Sequence, residues 1–141
     1  MKFPQKNRRE FVKTTLTLSA SGMLAGVFSC QKQKAPRFGI ITDLHFADRE
    51  PAGSRFYKDS ANKLKQAIDF FNAEKVDFVI ELGDFKDQDS PPEEEKTTSH
   101  LQSIEKIFQK FNGPTFHVIG NHDVDSISKQ QFLQNVKNTD I

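Results

Sequence analysis

The sequence predicts an α/β fold in the order strand, helix, strand, helix, strand, helix, with mainly parallel strands. Three short apolar runs rich in β-branched and aromatic residues begin at positions 38, 76 and 115. The segments after them carry apolar residues every three or four positions, the spacing of a helix with one buried stripe. This alternation favours parallel pairing through right-handed crossovers.

The first strand–helix unit follows a short polar linker. Residues 31–36 end in a proline, so we expect the folded domain to begin near Arg37. The run Phe38–Ile41 predicts the first strand. From about Phe56 to Ala73 the spacing predicts a helix. Its apolar stripe consists of Ala61, Leu64, Ala67, Ile68 and Phe71.

The second unit begins with the run Val76–Leu82, which predicts a strand. An acidic, proline-containing loop follows. Ser90 and Glu93 have the spacing of a capping box, so we expect a helix from there to about Phe111.

The third unit begins directly after an Asn-Gly-Pro turn, which ends the preceding helix. The run Thr115–Ile119 predicts the third strand. Ser128 and Gln131 predict a second capping box, opening a final helix that carries Phe132 and Val136.

Polar residues begin two positions after each predicted strand. Asp43 and His45 follow the first strand, Asp84 the second, and Asn121 and His122 the third. Because the carboxyl ends of parallel strands line one edge of a sheet, we expect these side chains to converge. Carboxylate, imidazole and amide groups together suit divalent metal ions.

These residues lie in three motifs: D-x-H at 43–45, G-D at 83–84 and G-N-H-D at 120–123. In this order they resemble the signature of the calcineurin-like metallophosphoesterase family. The resemblance implies the amino-terminal part of a metallophosphoesterase sandwich. It also implies that residues 37–141 are an incomplete domain, because the family's later histidines, ending in G-H-x-H, are absent.

The resemblance also implies roles at a binuclear site. Asp84 would bridge two divalent ions, with Asp43 and His45 on the first ion and Asn121 on the second. The ions could be Mn, Fe, Zn or Co, because mixed oxygen and nitrogen ligands do not fix the metal. Such a pair acidifies water and clamps a phosphate.

Two further residues match catalytic positions of that family. His122 would stabilise the transition state or protonate the leaving group, and Asp123 would orient His122. The alternative is that the motif aspartates merely cap turns. We expect His117 to be a core histidine, His100 to be solvated, and the acidic loop residues after Asp84 to be exposed rather than metal-bound.

Arg55 and Tyr57 precede the first helix and lie near the predicted metal edge. The segment around them is similar to one in the manganese-dependent ADP-ribose/CDP-alcohol diphosphatase branch, which implies contacts with substrate. The alternative is a solvated loop in which Phe56 and Tyr57 cap the core.

Residues 1–30 resemble a twin-arginine export signal of the lipoprotein type. Arg8 and Arg9 precede Phe11-Val12-Lys13, a weakly apolar stretch too short for a permanent membrane span follows, and Cys30 ends a lipoprotein-like box. We therefore expect lipidation at Cys30 and a periplasmic or membrane-anchored protein. The alternatives are an incidental cysteine or a frayed surface helix.

The formal net charge of +1 combines a basic leader with an acidic remainder. Without a basic stripe in the folded part, we expect no nucleic-acid binding. The predicted function is an exported phosphoesterase acting on a small phosphate ester, with this chain inactive alone. The alternatives are a nucleoside-diphosphate-type pyrophosphatase and a non-catalytic tethered lipoprotein. The oligomeric state stays open.

Overall fold

The computed structural model describes residues 34–138, and the export signal and Cys30 lie outside these residues. The predicted order of strands and helices is confirmed. The elements are β1 (Phe38–Ile41), α1 (Asp59–Glu74), β2 (Phe78–Glu81), α2 (Glu94–Phe108), β3 (Thr115–His117), a 3-10 turn (His122–Val124) and α3 (Lys129–Asn135). Over residues 34–138, none of the helices has the length and apolar character needed to cross a membrane.

The three strands form one parallel sheet in the order β1-β2-β3. Phe38 pairs with Phe78 across β1 and β2, and Ile80 pairs with Phe116 across β2 and β3. Because successive side chains point to opposite faces, each strand sends alternate residues to the two sides of the sheet.

One face of the sheet packs against the helices. The core contains side chains from every strand-to-helix unit, and the most deeply buried aromatic residues are Phe85, Phe108 and Phe132. The buried cluster is completed by Ile41, Leu64, Ile68, Val79, Leu101, Ile104, Phe111, Ile127 and Val136. Burial of this apolar area is the main stabilising contribution to the fold.

The opposite face of the sheet remains open in the described residues. Phe38 and Ile40 are 50% and 52% exposed, although both lie on a strand. Phe78 stacks on Phe38 with ring centroids 5.1 Å apart and meets Phe116 edge-on at 5.9 Å. A continuous apolar surface therefore crosses all three strands.

The helix starts differ from the sequence-based expectations in two places. Ser128 and Gln131 do form the predicted capping box of α3. The predicted box of α2 is wrong: its cap is Glu93, in extended conformation and without a side-chain cap bond, because two prolines separate Ser90 from the helix. Helix α1 begins at Asp59, about one turn later than the apolar spacing indicated.

Candidate metal centre

Strand pairing continues beyond β1 and β2 into the loops that carry the candidate ligands. The backbone N–H of Asp43 donates to the carbonyl of Gly83 at 3.1 Å, and that of His45 donates to the carbonyl of Asp84 at 2.8 Å. One step further, the N–H of Asp87 donates to the carbonyl of Phe46 at 2.9 Å. These bonds place the first two motifs side by side.

Three of the candidate ligands adopt the left-handed backbone conformation. The φ angles of Asp43, His45 and Asp84 are 54°, 47° and 58°. A non-glycine residue in this region costs about 1–3 kcal/mol, and such residues cluster at functional sites. The strain is maintained by the hydrogen bonds between the loops, and it turns the side chains away from the directions that a regular strand would give them.

The first cluster consists of Asp43, His45 and Asp84. The Nε2 atom of His45 lies 3.8 Å from Oδ1 of Asp43 and 3.7 Å from Oδ2 of Asp84. One ligand atom from each residue lies within 4.8 Å of the others. Two carboxylates and an imidazole gathered this closely match the donors and spacing that a divalent cation requires.

His45 is in the protonation state that a metal ligand needs. Burial lowers its pKa below the ordinary value of 6.5, and the charge of Arg55 acts in the same direction against the opposing charge of Asp84. The imidazole is therefore neutral at neutral pH, and only a neutral ring can donate an electron pair to a metal.

A second cluster contains Asp87, which the sequence reasoning placed outside the site. Asp87 is buried, with Oδ2 at 3.4 Å from Nδ1 of His45 and Oδ1 at 3.6 Å from Nδ1 of His122. The expectation of an exposed acidic loop residue is wrong because the loop stays paired with Phe46. The local sequence carries no signal for this position, because residues three apart on an extended segment lie on opposite faces.

The third motif reaches the same edge through its backbone. The N–H of His122 donates to Oδ1 of Asp84 at 3.0 Å, and Asn121, one residue earlier, has a solvent-exposed side chain. A Cβ on Gly83 would lie 2.8 Å from the backbone nitrogen of Gly120, and a Cβ on Gly120 would overlap the Asp84 carboxylate. Only glycine at both positions allows the two loops to approach this closely.

Asp123 has a different role from the predicted one. Its fully buried carboxylate accepts backbone N–H groups of four residues at 2.8–3.2 Å; these donors are Asp84, Phe85, Lys86 and Gly120. Burial raises the pKa of its carboxyl, and the four donors act in the opposite direction. Asp123 thus ties the second and third motifs together, and the carboxylates that face the ring of His122 belong to Asp87 and Asp125.

The surroundings of His122 include a buried cation. The ring is 26% exposed, and its Nδ1 lies 3.4 Å from Oδ2 of Asp125. The other oxygen of Asp125 accepts from Nζ of Lys86, which has no exposed side-chain surface, at 2.6 Å. Lys86 therefore fixes the carboxylate that faces His122.

A cleft of about 240 Å³ opens beside Asp43 and His45 and contains the predicted substrate contacts. Arg55 lies in this cleft, with Nη1 3.3 Å from Oδ2 of Asp87. Tyr57 is only 4% exposed and packs under the guanidinium of Arg49 at 4.2 Å. The half-exposed Phe56 is the aromatic side chain that the cleft leaves accessible.

The two remaining histidines of the domain are both buried. His117 is a core residue, as expected, with 1% of its side chain exposed. The expectation that His100 is solvated is wrong. Its ring packs edge-on against Phe46 at 6.0 Å and lies 3.3 Å from Asp89, because the loop after β2 folds back over α2.

The chain belongs to the calcineurin-like phosphoesterase family, which it matches over residues 36–140. It is 30% identical to a manganese-dependent ADP-ribose/CDP-alcohol diphosphatase of Arabidopsis thaliana over 77% of this chain and 36% of that protein. A diphosphatase of the same description from Oryza sativa is 30% identical over 71% of this chain and 32% of the relative. This chain thus spans about a third of these relatives.

A solved structure shows the same fold. The crystal structure of a dimetal phosphatase from Danio rerio superposes on 70% of this chain and 33% of its own with a TM-score of 0.62 and 26% identity. The parallel sheet and the helices that cover it are therefore those of the metallophosphoesterase fold.

The donor set fits divalent metal ions on the geometry of this chain alone. Carboxylates repel one another unless a cation lies between them, yet the described residues bring Asp43, Asp84 and Asp87 around one imidazole. The Nδ1 atoms of His45 and His122 are buried without a hydrogen-bond partner in the described structure. A bound cation would reduce the repulsion between the carboxylates and would give the ring nitrogens a partner.

Proposed function

We propose that this chain carries the amino-terminal half-site of a manganese-dependent phosphoesterase that hydrolyses the diphosphate bond of a nucleotide-linked small molecule. The convergence of Asp43, His45 and Asp84 within 4.8 Å carries this proposal. The similarity to proteins named ADP-ribose/CDP-alcohol diphosphatases supports the diphosphate rather than a phosphomonoester.

The proposed site contains metal ligands and a residue that acts on the substrate. Asp43, His45 and Asp84 would hold the first ion, and Asp84 and Asn121 would contribute to the second. Bound ions of this kind neutralise phosphoryl oxygens and acidify water. His122 is partly exposed beside Asp84, which suits it to protonate a leaving oxygen, and the carboxylate of Asp87 faces its ring.

The cleft beside Asp43 suits a diphosphate joined to an aromatic group. Arg55 supplies a cation for the second phosphate. The ammonium of Lys63 lies 5.7 Å from the ring of Phe56, so an aromatic surface and a second cation line the same opening. A phosphomonoester would leave this surface unused.

The test is hydrolysis of ADP-ribose and p-nitrophenyl phosphate with Mn²⁺, using the 141-residue chain and the protein encoded by the complete reading frame. We expect the complete protein to cleave ADP-ribose faster than p-nitrophenyl phosphate. Asp84→Ala should reduce turnover to background, and the shorter chain should be inactive. Asp59→Ala, a surface change at the start of α1, is the matched control. Wild-type rates in Asp84→Ala would refute the bridging role.

We also propose that the protein is exported by the twin-arginine route and anchored through a lipid on Cys30. The support is the sequence of residues 1–30 alone. Cell fractionation should find the wild type with membranes and Cys30→Ala in the soluble periplasmic fraction. Replacing Arg8 and Arg9 by lysine should retain the precursor in the cytoplasm. Unchanged membrane association of Cys30→Ala would exclude the anchor.

A further inference from the structure

Three ionisable side chains form a buried row that links β2, β3 and α2; we call it the Glu-His-Glu row. Oε2 of Glu81 lies 3.4 Å from Nδ1 of His117, and Nε2 of His117 lies 2.9 Å from Oε2 of Glu105. The exposed fractions of the three side chains are 0%, 1% and 7%. None of the three belongs to the metal centre described above.

The apolar surroundings of His117 make burial of the charged Glu-His-Glu row energetically unfavourable. The rings of Phe85, Phe108 and Phe132 lie 5.0, 4.8 and 6.1 Å from the ring of His117. Removing charges from water is unfavourable, and well-packed apolar residues of similar volume are often as stabilising. Stability of the core alone therefore does not account for charged groups at this place.

The second carboxylate oxygen of Glu81 indicates the function of the Glu-His-Glu row. Oε1 accepts the backbone N–H of Gly83 at 2.7 Å, in the turn that leads from β2 to Asp84. Gly83 has a φ of 106° and Asp84 a φ of 58°, so two successive residues leave the strand conformation here. The carbonyl of Gly83 accepts from Asp43, so the same peptide also aligns the first motif.

We propose that Glu81 is a positioning residue for the metal centre: it holds the Gly83 turn that directs the Asp84 carboxylate, and His117, fixed by Glu105, holds Glu81. The inference rests on the proposed metal site. It assigns no contact with substrate or metal to Glu81, which acts only through the backbone of Gly83.

The charge state of His117 is consistent with this arrangement. Burial lowers its pKa, but the contacts with Glu105 and Glu81 outweigh burial and raise the pKa to about 9. The ring is thus an imidazolium at neutral pH. Its Nδ1 bonds to Oε2 of Glu81 and its Nε2 forms an ion pair with Oε2 of Glu105, which leaves Oε1 of Glu81 for Gly83.

The first experiment needs no metal. Amide NMR spectra of the 141-residue chain are compared for the wild type, Glu81→Met, which has no acceptor, and Glu81→Gln, which keeps an oxygen. Ile68→Val, a buried change on α1, is the control for general loosening of the core. We expect the resonances of Gly83, Asp84 and Gly120 to move in Glu81→Met alone.

The second experiment measures Mn²⁺ affinity of the same variants from the signal of the free ion in electron paramagnetic resonance. Loss of a group that orients a ligand typically weakens metal binding by about 10–100-fold. We expect a loss of this size in Glu81→Met and wild-type affinity in Glu81→Gln and Ile68→Val. If Glu81→Met does not fold, the triple variant Glu81→Met, His117→Leu and Glu105→Met removes every charge of the row and takes its place.

The outcomes separate this inference from the proposed function. Unchanged resonances and affinity in Glu81→Met, or an equal disturbance in Glu81→Gln, would overturn the positioning role. Absence of Mn²⁺ binding by the wild type would overturn the proposed function and with it the link to metal. Resonance shifts confined to Glu81→Met, with the matching loss of affinity, support the role.

Discussion

Individual residues at the metal centre are held in conformations that the chain would avoid elsewhere. Apart from Lys75, which ends α1, the described non-glycine residues with positive φ are Asp43, His45 and Asp84. Their combined cost of several kcal/mol is offset by backbone hydrogen bonds between the loops and by the bond from the N–H of His122 to the carboxylate of Asp84.

Asp123 is the residue on which these hydrogen bonds depend most. Asp123→Asn leaves one acceptor oxygen and places an N–H₂ group against backbone donors, so we expect a loss of about 1–3 kcal/mol in the free energy of unfolding. Urea denaturation measures it. Asp43→Asn, at a carboxylate that is 66% exposed, is the control and should change stability by less than about 0.5 kcal/mol. Equal stabilities of the two variants would contradict the structural role of Asp123.

Among the secondary-structure elements, β2 carries most of the site. It pairs with both neighbouring strands, and its carboxyl end continues into the segment that supplies Asp84 and Asp87. The same strand contributes Glu81 to the buried row with His117 of β3 and Glu105 of α2. Helix α2 is therefore joined to the sheet by an ionic contact as well as by its apolar stripe.

That ionic contact makes the packing of α2 sensitive to pH. The pKa of His117 is about 9 in the fold and 6.5 when unfolded, so its contribution to stability is complete below pH 6.5 and is lost as pH rises towards 9. The loss is on the order of 3 kcal/mol. Burial also raises the pKa of Glu81 above its ordinary value of 4.5, so the contribution of Glu81 to stability also falls as the pH rises.

Two measurements check this prediction. Urea unfolding should give a lower stability at about pH 9 than at about pH 6.5, and the ring protons of His117 should titrate well above the ordinary histidine range. A titration midpoint near 6.5 would show that Glu81 and Glu105 do not hold the proton.

Over residues 34–138, the helices cover only one face of the sheet. Seven apolar side chains lie on the open face: Phe38, Ile40, Phe78, Ile80 and Phe116 on the strands, and Leu82 and Val118 directly after β2 and β3. Large continuous apolar surfaces promote association. At high concentration we therefore expect a second copy of this chain to cover this face.

Replacing Ile40 and Val118 with threonine tests this expectation and keeps the β-branched shape that strands favour. Sedimentation velocity should show self-association weakened by about tenfold, the effect of about 1.4 kcal/mol. Phe70→Ser on α1, at a side chain that is 61% exposed on the helical side, should have no such effect. Equal weakening by Phe70→Ser would place the association elsewhere.

Much of this architecture followed from local patterns. Apolar periodicity specified the order of strands and helices, because burial of one stripe or one face imposes a fixed spacing. The position of Asp43, Asp84 and His122 directly after strands placed them at one edge, because parallel strands end together. The capping box at Ser128 is equally local, since its two hydrogen bonds join residues three positions apart.

Only the tertiary structure decided which side chains face one another. Asp87 lies at the metal centre and Asp123 binds backbone N–H groups, although both are acidic residues close to a motif. Their directions depend on left-handed turns and on hydrogen bonds between segments about 40 residues apart, which no local spacing encodes. The burial of Tyr57 has the same origin, because it depends on where Arg49 lies in the folded chain.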